Sequence, residues 1–211
     1  MKYRGVIFDL DGVICFTDEY HYEAWKALAD RLGIYFDKEI NNRLRGVSRM
    51  ASLEIILERS DVTYSQEEKE AFATEKNDNY REMLKNMSEK DLSDEVRDTL
   101  NELRNRGYLL AIGSSSKNTK TILNQIGLGN FFDAISDGTN ITNSKPDPEV
   151  FLKAAEFINL KPEECVVVED AKSGAEAAYR GHFACAGIGE AAEYEHTDYP
   201  IKTFSDLLKV L

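Results

Sequence analysis

Asp9 and Asp11, two residues apart in Asp9-Leu10-Asp11-Gly12, follow directly on the apolar run Gly5-Val6-Ile7-Phe8. Two carboxylates so placed at a strand end can share one magnesium ion and one phosphoryl group. A carboxylate is also a feasible nucleophile toward phosphorus. The acyl phosphate it forms divides a hard transfer into two easier steps. Gly12 lets the chain turn sharply at this point. Alone, the four residues read equally well as a polar turn after a strand.

Three other clusters bear on the choice. Ser114 and Ser116 offer hydroxyls, and the backbone N–H groups of the helix opening at Asn118 lie close by in sequence, which together could cradle a phosphate. The plainer reading is a loop with a helix cap. Lys145, in Ser144-Lys145-Pro146-Asp147-Pro148, is followed by two prolines that would pin it. A fixed cation beside an acyl phosphate neutralises transition-state charge, although an isolated loop lysine is more often exposed. Glu169-Asp170 follow three consecutive valines. Carboxylates leaving a fully apolar strand are costly to desolvate unless a cation or donor awaits them, and hard oxygen ligands suit magnesium. Asp170 could also serve as a helix N-cap.

The elements that must position these groups are legible from periodicity. Apolar runs at 5–8, 108–112, 134–136, 165–168 and 183–186 each end in a polar or glycine-rich turn. Helical patterns lie between them. Ser93 caps a helix carrying Val96, Leu100 and Leu103, and Asn118 opens one with Ile122 and Ile126. Pro148 suits the first turn of a third, Ser173 to Arg180 forms a fourth, and Ser205 caps a last helix over 206–211. This alternation predicts an α/β fold, a Rossmann-like parallel sheet with helices on both faces. In such sheets ligands bind beyond the carboxyl ends of the strands, where every cluster named above falls.

The stretch from Thr17 to Met87 carries no clear strand. It predicts helices capped by Asp18, over 52–57, and from Ser65 onward, forming an inserted all-helical cap. The expected division is a catalytic core of residues 1–16 and 88–211 with a cap of residues 17–87. The chain has 211 residues, 42% hydrophobic and 30% charged, with a net charge of −12, so neither a nucleic acid nor an anionic membrane is expected as partner. Three cysteines without metal-ligand spacing, and no apolar leader, predict a cytoplasmic protein with reduced thiols.

Four clusters in this order, each at a strand end, make the sequence resemble the haloacid dehalogenase-like phosphotransferase superfamily, over essentially the whole chain. The resemblance implies that Asp9 is the nucleophile and Asp11 the general acid/base, that Ser114 and Lys145 carry the second and third motifs, and that Glu169-Asp170 form the acidic fourth. Within it, Asp11-Gly12-Val13-Ile14, Glu19-Tyr20-His21 and residues 24–28 look like the beta-phosphoglucomutase family. So do Gly46-Val47-Ser48-Arg49 with Ser52, residues 76–80, and Ser116-Lys117-Asn118. A substrate site is thereby implied at His21, Trp25, Arg45, Gly46, Val47, Ser48, Arg49, Ser52, Lys76, Ser114, Ser115, Ser116, Lys117 and Asn118.

Arg49 could fork two hydrogen bonds onto the non-reacting phosphate, assisted by Arg45. Without the resemblance, a solvated arginine and a solvated mid-helix Lys76 would be the default. His21 and Trp25, four residues apart, share a helix face. The resemblance gives His21 and Lys76 the task of linking cap closure to Asp11. Two positions depart from the family pattern: Phe16 stands where an Asp usually precedes the hinge threonine, here Thr17, and Ala171 replaces a common serine.

The expected activity is interconversion of beta-glucose 1-phosphate and glucose 6-phosphate by a monomer. Magnesium would be held by Asp9, the Asp11 carbonyl, Glu169 and Asp170, and glucose 1,6-bisphosphate would be the priming donor. A phosphosugar phosphatase on the same fold is the alternative. A non-catalytic phosphosugar binder is disfavoured, because pure binding requires no nucleophile.

Overall fold

The computed structural model describes residues 2–44 and 47–211. Six parallel strands form one sheet in the order β3-β2-β1-β4-β5-β6. The strands are β1 (Gly5–Phe8), β2 (Leu109–Gly113), β3 (Ala134–Ser136), β4 (Cys165–Glu169), β5 (Ala184–Gly187) and β6 (Tyr199–Pro200). The chain runs outward from β1 in both directions. β1 and its two neighbours therefore form the switch point at which such sheets place ligands.

Alternation along the strands divides the core into two layers. Val6, Phe8, Leu110, Ile112, Val166 and Val168 face one side. There they pack with α5 (Asp94–Asn105), α6 (Thr119–Gln125) and α9 (Leu207–Val210). Ile7, Ala111 and Val167 face the other, against α7 (Glu149–Phe157) and α8 (Lys172–Arg180). The α5 stripe predicted from sequence is buried as expected at Val96, Leu100 and Leu103.

Between β1 and β2 the chain forms α1 (Asp18–Arg31), α2 (Lys38–Asn42), α3 (Arg49–Leu57) and α4 (Gln66–Leu84). Trp25, Leu28, Phe36, Ile40, Leu53, Ile56 and Ala73 give these helices a core of their own. Ala24, Tyr80 and Leu84 instead join the layer beneath the sheet. Ser65 and Glu68 form a reciprocal capping box that starts α4.

Several boundaries differ from the sequence reading. Helix α3 begins at Arg49 rather than at residue 52, because the Ser48 hydroxyl accepts a hydrogen bond from Ala51 N at 3.2 Å. Arg49 thus sits in a first helical turn. Asp18 is the first residue of α1 and not its cap. Thr17 holds the cap position, with its hydroxyl committed to Asp11. Asp170 does not cap α8 either, since Ala171 precedes that helix without a side-chain cap.

The predicted terminal helix over 206–211 shortens to α9, preceded by a 3₁₀ turn in which Thr203 and Asp206, not Ser205, satisfy the backbone. α2 and β6, of five and two residues, were too short to announce themselves by periodicity. Among the described residues no helix is long and apolar enough to cross a membrane.

Candidate active site

Strand register builds the centre of the site. Phe8 pairs with Ile112 on one side and with Val168 on the other. Asp9 and the strand-terminal residues Gly113 and Glu169 therefore stand at one level, and Asp9 N still donates to Val168 O at 2.9 Å. Ser114, 4% exposed, follows Gly113.

Lys145 arrives from the β3–α7 connection. It is buried rather than exposed, and its ammonium donates to Asp9 Oδ1 and, at 2.5 Å, to Glu169 Oε1. Two glycines make room for the carboxylates. Gly12 has φ +84°, and a Cβ there would collide with the Asp170 carboxylate. A Cβ on Gly174 would collide with that of Glu169.

One ammonium thus faces three carboxylates in a buried setting. Burial, with Glu169 and Asp11 adding repulsion, raises Asp9 to about 7 despite Lys145. Burial, then Glu169 and Asp9, raises Asp170 to about 8. Burial works against the charge on Lys145, but Asp9 and Glu169 outweigh it and hold the amine charged. The carboxylates remain under-neutralised.

An all-oxygen donor set with excess negative charge fits a hard dication such as magnesium, which keeps several waters and needs few protein ligands. As the side chains stand, no group of three or more histidine, cysteine or carboxylate side chains among the described residues is disposed to hold a metal ion. The expected set of Asp9, Asp11, Glu169 and Asp170 would therefore rely on the Asp11 carbonyl, on water and on a shift of Lys145.

Asp11 turns its carboxylate toward the start of α1. Oδ1 accepts from Thr17 N at 2.8 Å and Oδ2 from Thr17 Oγ1 at 2.5 Å. Tyr80 OH donates to the same threonine hydroxyl at 3.1 Å, and His21 Nε2 lies 3.8 Å from Asp11 Oδ2.

Above the sheet, a cleft of about 620 Å³ opens between this centre and the inserted helices. Asp9, Asp11, Ser114, Glu169 and Asp170 line its floor. His21, Trp25, Val47, Ser48, Arg49, Ser52 and Lys76 line the opposite wall, and Ser115, Ser116, Lys117 and Asn118 a side. Arg45 and Gly46 lie outside the described residues.

These are the features of a known family. A family model of haloacid dehalogenase-like hydrolases matches residues 3–181. The chain belongs to this family. It is 36% identical to the beta-phosphoglucomutase of Bacillus subtilis (strain 168), over 97% of this chain and 91% of that protein. It is 33% identical to a phosphorylated carbohydrates phosphatase of Thermotoga maritima, over 83% of this chain and 80% of that protein. The crystal structure of beta-phosphoglucomutase from Clostridium difficile superposes with a TM-score of 0.91 at 34% identity, covering 97% of this chain and 93% of that one. The protein is therefore an enzyme of the haloacid dehalogenase-like superfamily, similar to both a sugar phosphomutase and sugar phosphatases.

The wall facing Asp11 carries buried positive charge. Lys76 is 2% exposed, so the solvated helix face that its sequence context implied is absent. Its ammonium lies 4.8 Å from the Trp25 ring centre and 4.6 Å from that of Tyr80, a partial compensation by the ring faces. Burial, with Arg49 nearby, lowers it to about 7.

Lys76 Nζ is 2.8 Å from His21 Nδ1. With Nδ1 as acceptor, the ring proton sits on Nε2, toward Asp11. Burial, then Lys76 and Arg49, push His21 well below its ordinary pKa. The solvent that reaches the ring weakens the first effect, and the two cations preserve the direction. Arg49 loses some basicity through burial.

In the cradle, Ser116 N donates to Ser114 Oγ and Asn118 N to Ser116 Oγ, both at 3.2 Å. The hydroxyl of Ser115 is buried without a hydrogen-bond partner among the described residues. Sequence reasoning left Thr17 and Tyr80 out of the site. The i, i+4 spacing of Tyr80 from Lys76 on α4 was the available signal.

Proposed function

We propose that the protein is a magnesium-dependent beta-phosphoglucomutase that interconverts beta-glucose 1-phosphate and glucose 6-phosphate through a phospho-aspartate at Asp9. The supporting observation is the two-ended cleft. An aspartate–lysine centre forms its floor, and a second set of basic and donor groups, Arg49, Lys76 and the Ser116–Asn118 turn, lines the wall and side. A phosphatase needs only the first end, whereas a mutase must hold a bisphosphate by both. In this reading residues 17–87 act as a cap over a core of residues 1–16 and 88–211, and the monomer is the working unit.

Asp9 receives its phosphoryl group from glucose 1,6-bisphosphate. Beta-glucose 1-phosphate then enters, and its C6 hydroxyl attacks phospho-Asp9. The O6–P bond forms as the P–Oδ bond to Asp9 breaks, and Asp11 takes the hydroxyl proton. The resulting bisphosphate turns over in the cleft and returns its C1 phosphoryl to Asp9. Asp11 gives its proton to the departing C1 oxygen, and glucose 6-phosphate leaves.

Lys145 balances the charge that gathers between Asp9 and the phosphoryl oxygens. Magnesium, held by Asp9, the Asp11 carbonyl, Glu169 and Asp170, would supply further neutralisation of those oxygens. Arg49 grips whichever phosphate is idle. The cap excludes water from the aspartyl phosphate, and Thr17 and His21 hold Asp11 until closure.

A phosphosugar phosphatase is the second reading, favoured by the similarity to the phosphatase of Thermotoga maritima. Product analysis decides between them. Beta-glucose 1-phosphate with a bisphosphate primer should yield glucose 6-phosphate, and the alpha anomer should not. Steady release of inorganic phosphate without an isomerised product would assign the phosphatase.

A further inference from the structure

One side-chain hydrogen bond crosses the cleft beside the phosphate cradle. Asn118 Nδ2 donates to Asn77 Oδ1 at 3.0 Å. Asn118 precedes α6 on the sheet side, is 8% exposed, and its backbone already closes the serine turn through Ser116 Oγ. Asn77 stands on α4 beside Lys76, and both asparagines line the cleft. Nothing in the reaction described above uses Asn77.

A carboxamide presents an acceptor on one side and two donors on the other. Toward a phosphate only the donor side is useful, and the acceptor side would repel the anion. An oxygen fixed in front of Asn118 decides which side faces it. With one N–H taken by Asn77 Oδ1, the same nitrogen keeps its second N–H for a ligand.

We infer that Asn77 is a positioning residue for the non-reacting phosphate of the substrate: it turns the Asn118 carboxamide donor-side toward that phosphate and ties the cradle to the α4 wall. This rests on the reading of Asn118 as a phosphate contact.

The test is a double-mutant cycle with Asn77→Ala and Asn118→Ala in the full-length, magnesium-loaded enzyme. Each protein is assayed with beta-glucose 1-phosphate plus primer, and for phosphate release from acetyl phosphate, a small phosphoryl donor that carries no second phosphate. Loss of one hydrogen bond to a charged partner should raise KM for the phosphosugar about tenfold in Asn77→Ala, with a much smaller change in kcat. The factor should be several-fold larger with the phosphosugar than with acetyl phosphate. In the Asn118→Ala background, Asn77→Ala should cost almost nothing more.

Fully additive effects, or equal losses on both substrates, overturn the inference, as does wild-type KM in Asn77→Ala. If the wild-type enzyme itself turns over neither substrate, the failure lies with the phosphotransferase reading and not with Asn77.

Discussion

Replacing Asp170 by Asn should stabilise the metal-free protein and at the same time remove its response to magnesium. Asp170 sits where burial, Glu169 and Asp9 all oppose its charge, and its folded pKa rises from 3.8 to about 8. A carboxyl raised on folding is protonated in the native state over a range where the unfolded chain has already lost its proton. The native state then binds more protons, and stability falls as pH rises.

The loss begins near pH 4 and is complete above about pH 8. At about 1.4 kcal/mol for each tenfold change, the full shift amounts to at most ~6 kcal/mol. Relaxation and solvent at this half-buried group bring the expected gain of Asp170→Asn to ~3 kcal/mol at pH 8.5, and near zero at pH 4. For a chain of this length that is roughly 6–12 °C in Tm.

The assay is thermal unfolding of both proteins in chelator at pH 4, 6 and 8.5, repeated at pH 8.5 with magnesium. Magnesium should raise the Tm of the wild type, by binding only the native state, and should barely move the variant. A Tm difference that is constant across pH, or a variant less stable at every pH, would refute the charge-crowding account of the acidic pair.

Other expectations follow from the same geometry. Asp9→Asn should abolish turnover while leaving the far-ultraviolet circular dichroism unchanged; retained activity would rule out the covalent step. Lys145→Ala leaves Asp9 and Glu169 without their shared donor, and urea unfolding at pH 7.5 should show a loss of about 3–5 kcal/mol; an unchanged midpoint would count against that pairing. Arg49→Ala should raise KM for the phosphosugar at least tenfold and increase inorganic phosphate release per turnover. Lys76→Met should stabilise the protein below pH 7 by ~2–4 kcal/mol, because the folded pKa of Lys76 is depressed to about 7. That gain should fade between pH 7 and 10, where the wild-type native state holds a neutral amine and the unfolded chain does not; a pH-independent difference would count against it.

Five of the six strands were legible because they are short, mainly apolar runs that stop at polar turns, a pattern that survives without any knowledge of packing. The common level of Asp9 and Glu169 comes from the pairing of β1 with β4, a strand order that the apolar runs alone do not give. Burial of Lys145 could not be read locally, since a lysine followed by two closely spaced prolines looks like a surface loop. Its interior position exists only because distant strands bring Asp9 and Glu169 to it.

Lys76 was obscured for a related reason: the neighbours Glu75 and Asp78 are polar, while the groups that enclose it, Trp25, Tyr80 and His21, come from α1 or from the next turn of α4. The start of α3 was misplaced because Ser48 and Ser52 both precede helical stretches. The Ser48 hydroxyl wins the cap by reaching Ala51 N. Short elements such as α2 depend on one cap, Asp37 to Ile40 N at 2.9 Å, more than on periodicity.

The phosphoryl group itself offers the most direct test. Rapid quench of the magnesium-loaded enzyme with labelled glucose 1,6-bisphosphate, followed by peptide mapping, should place the label on Asp9, in a linkage that hydroxylamine cleaves, and should find none in Asp9→Asn. Label on another residue, or wild-type turnover in Asp9→Asn, would contradict the account.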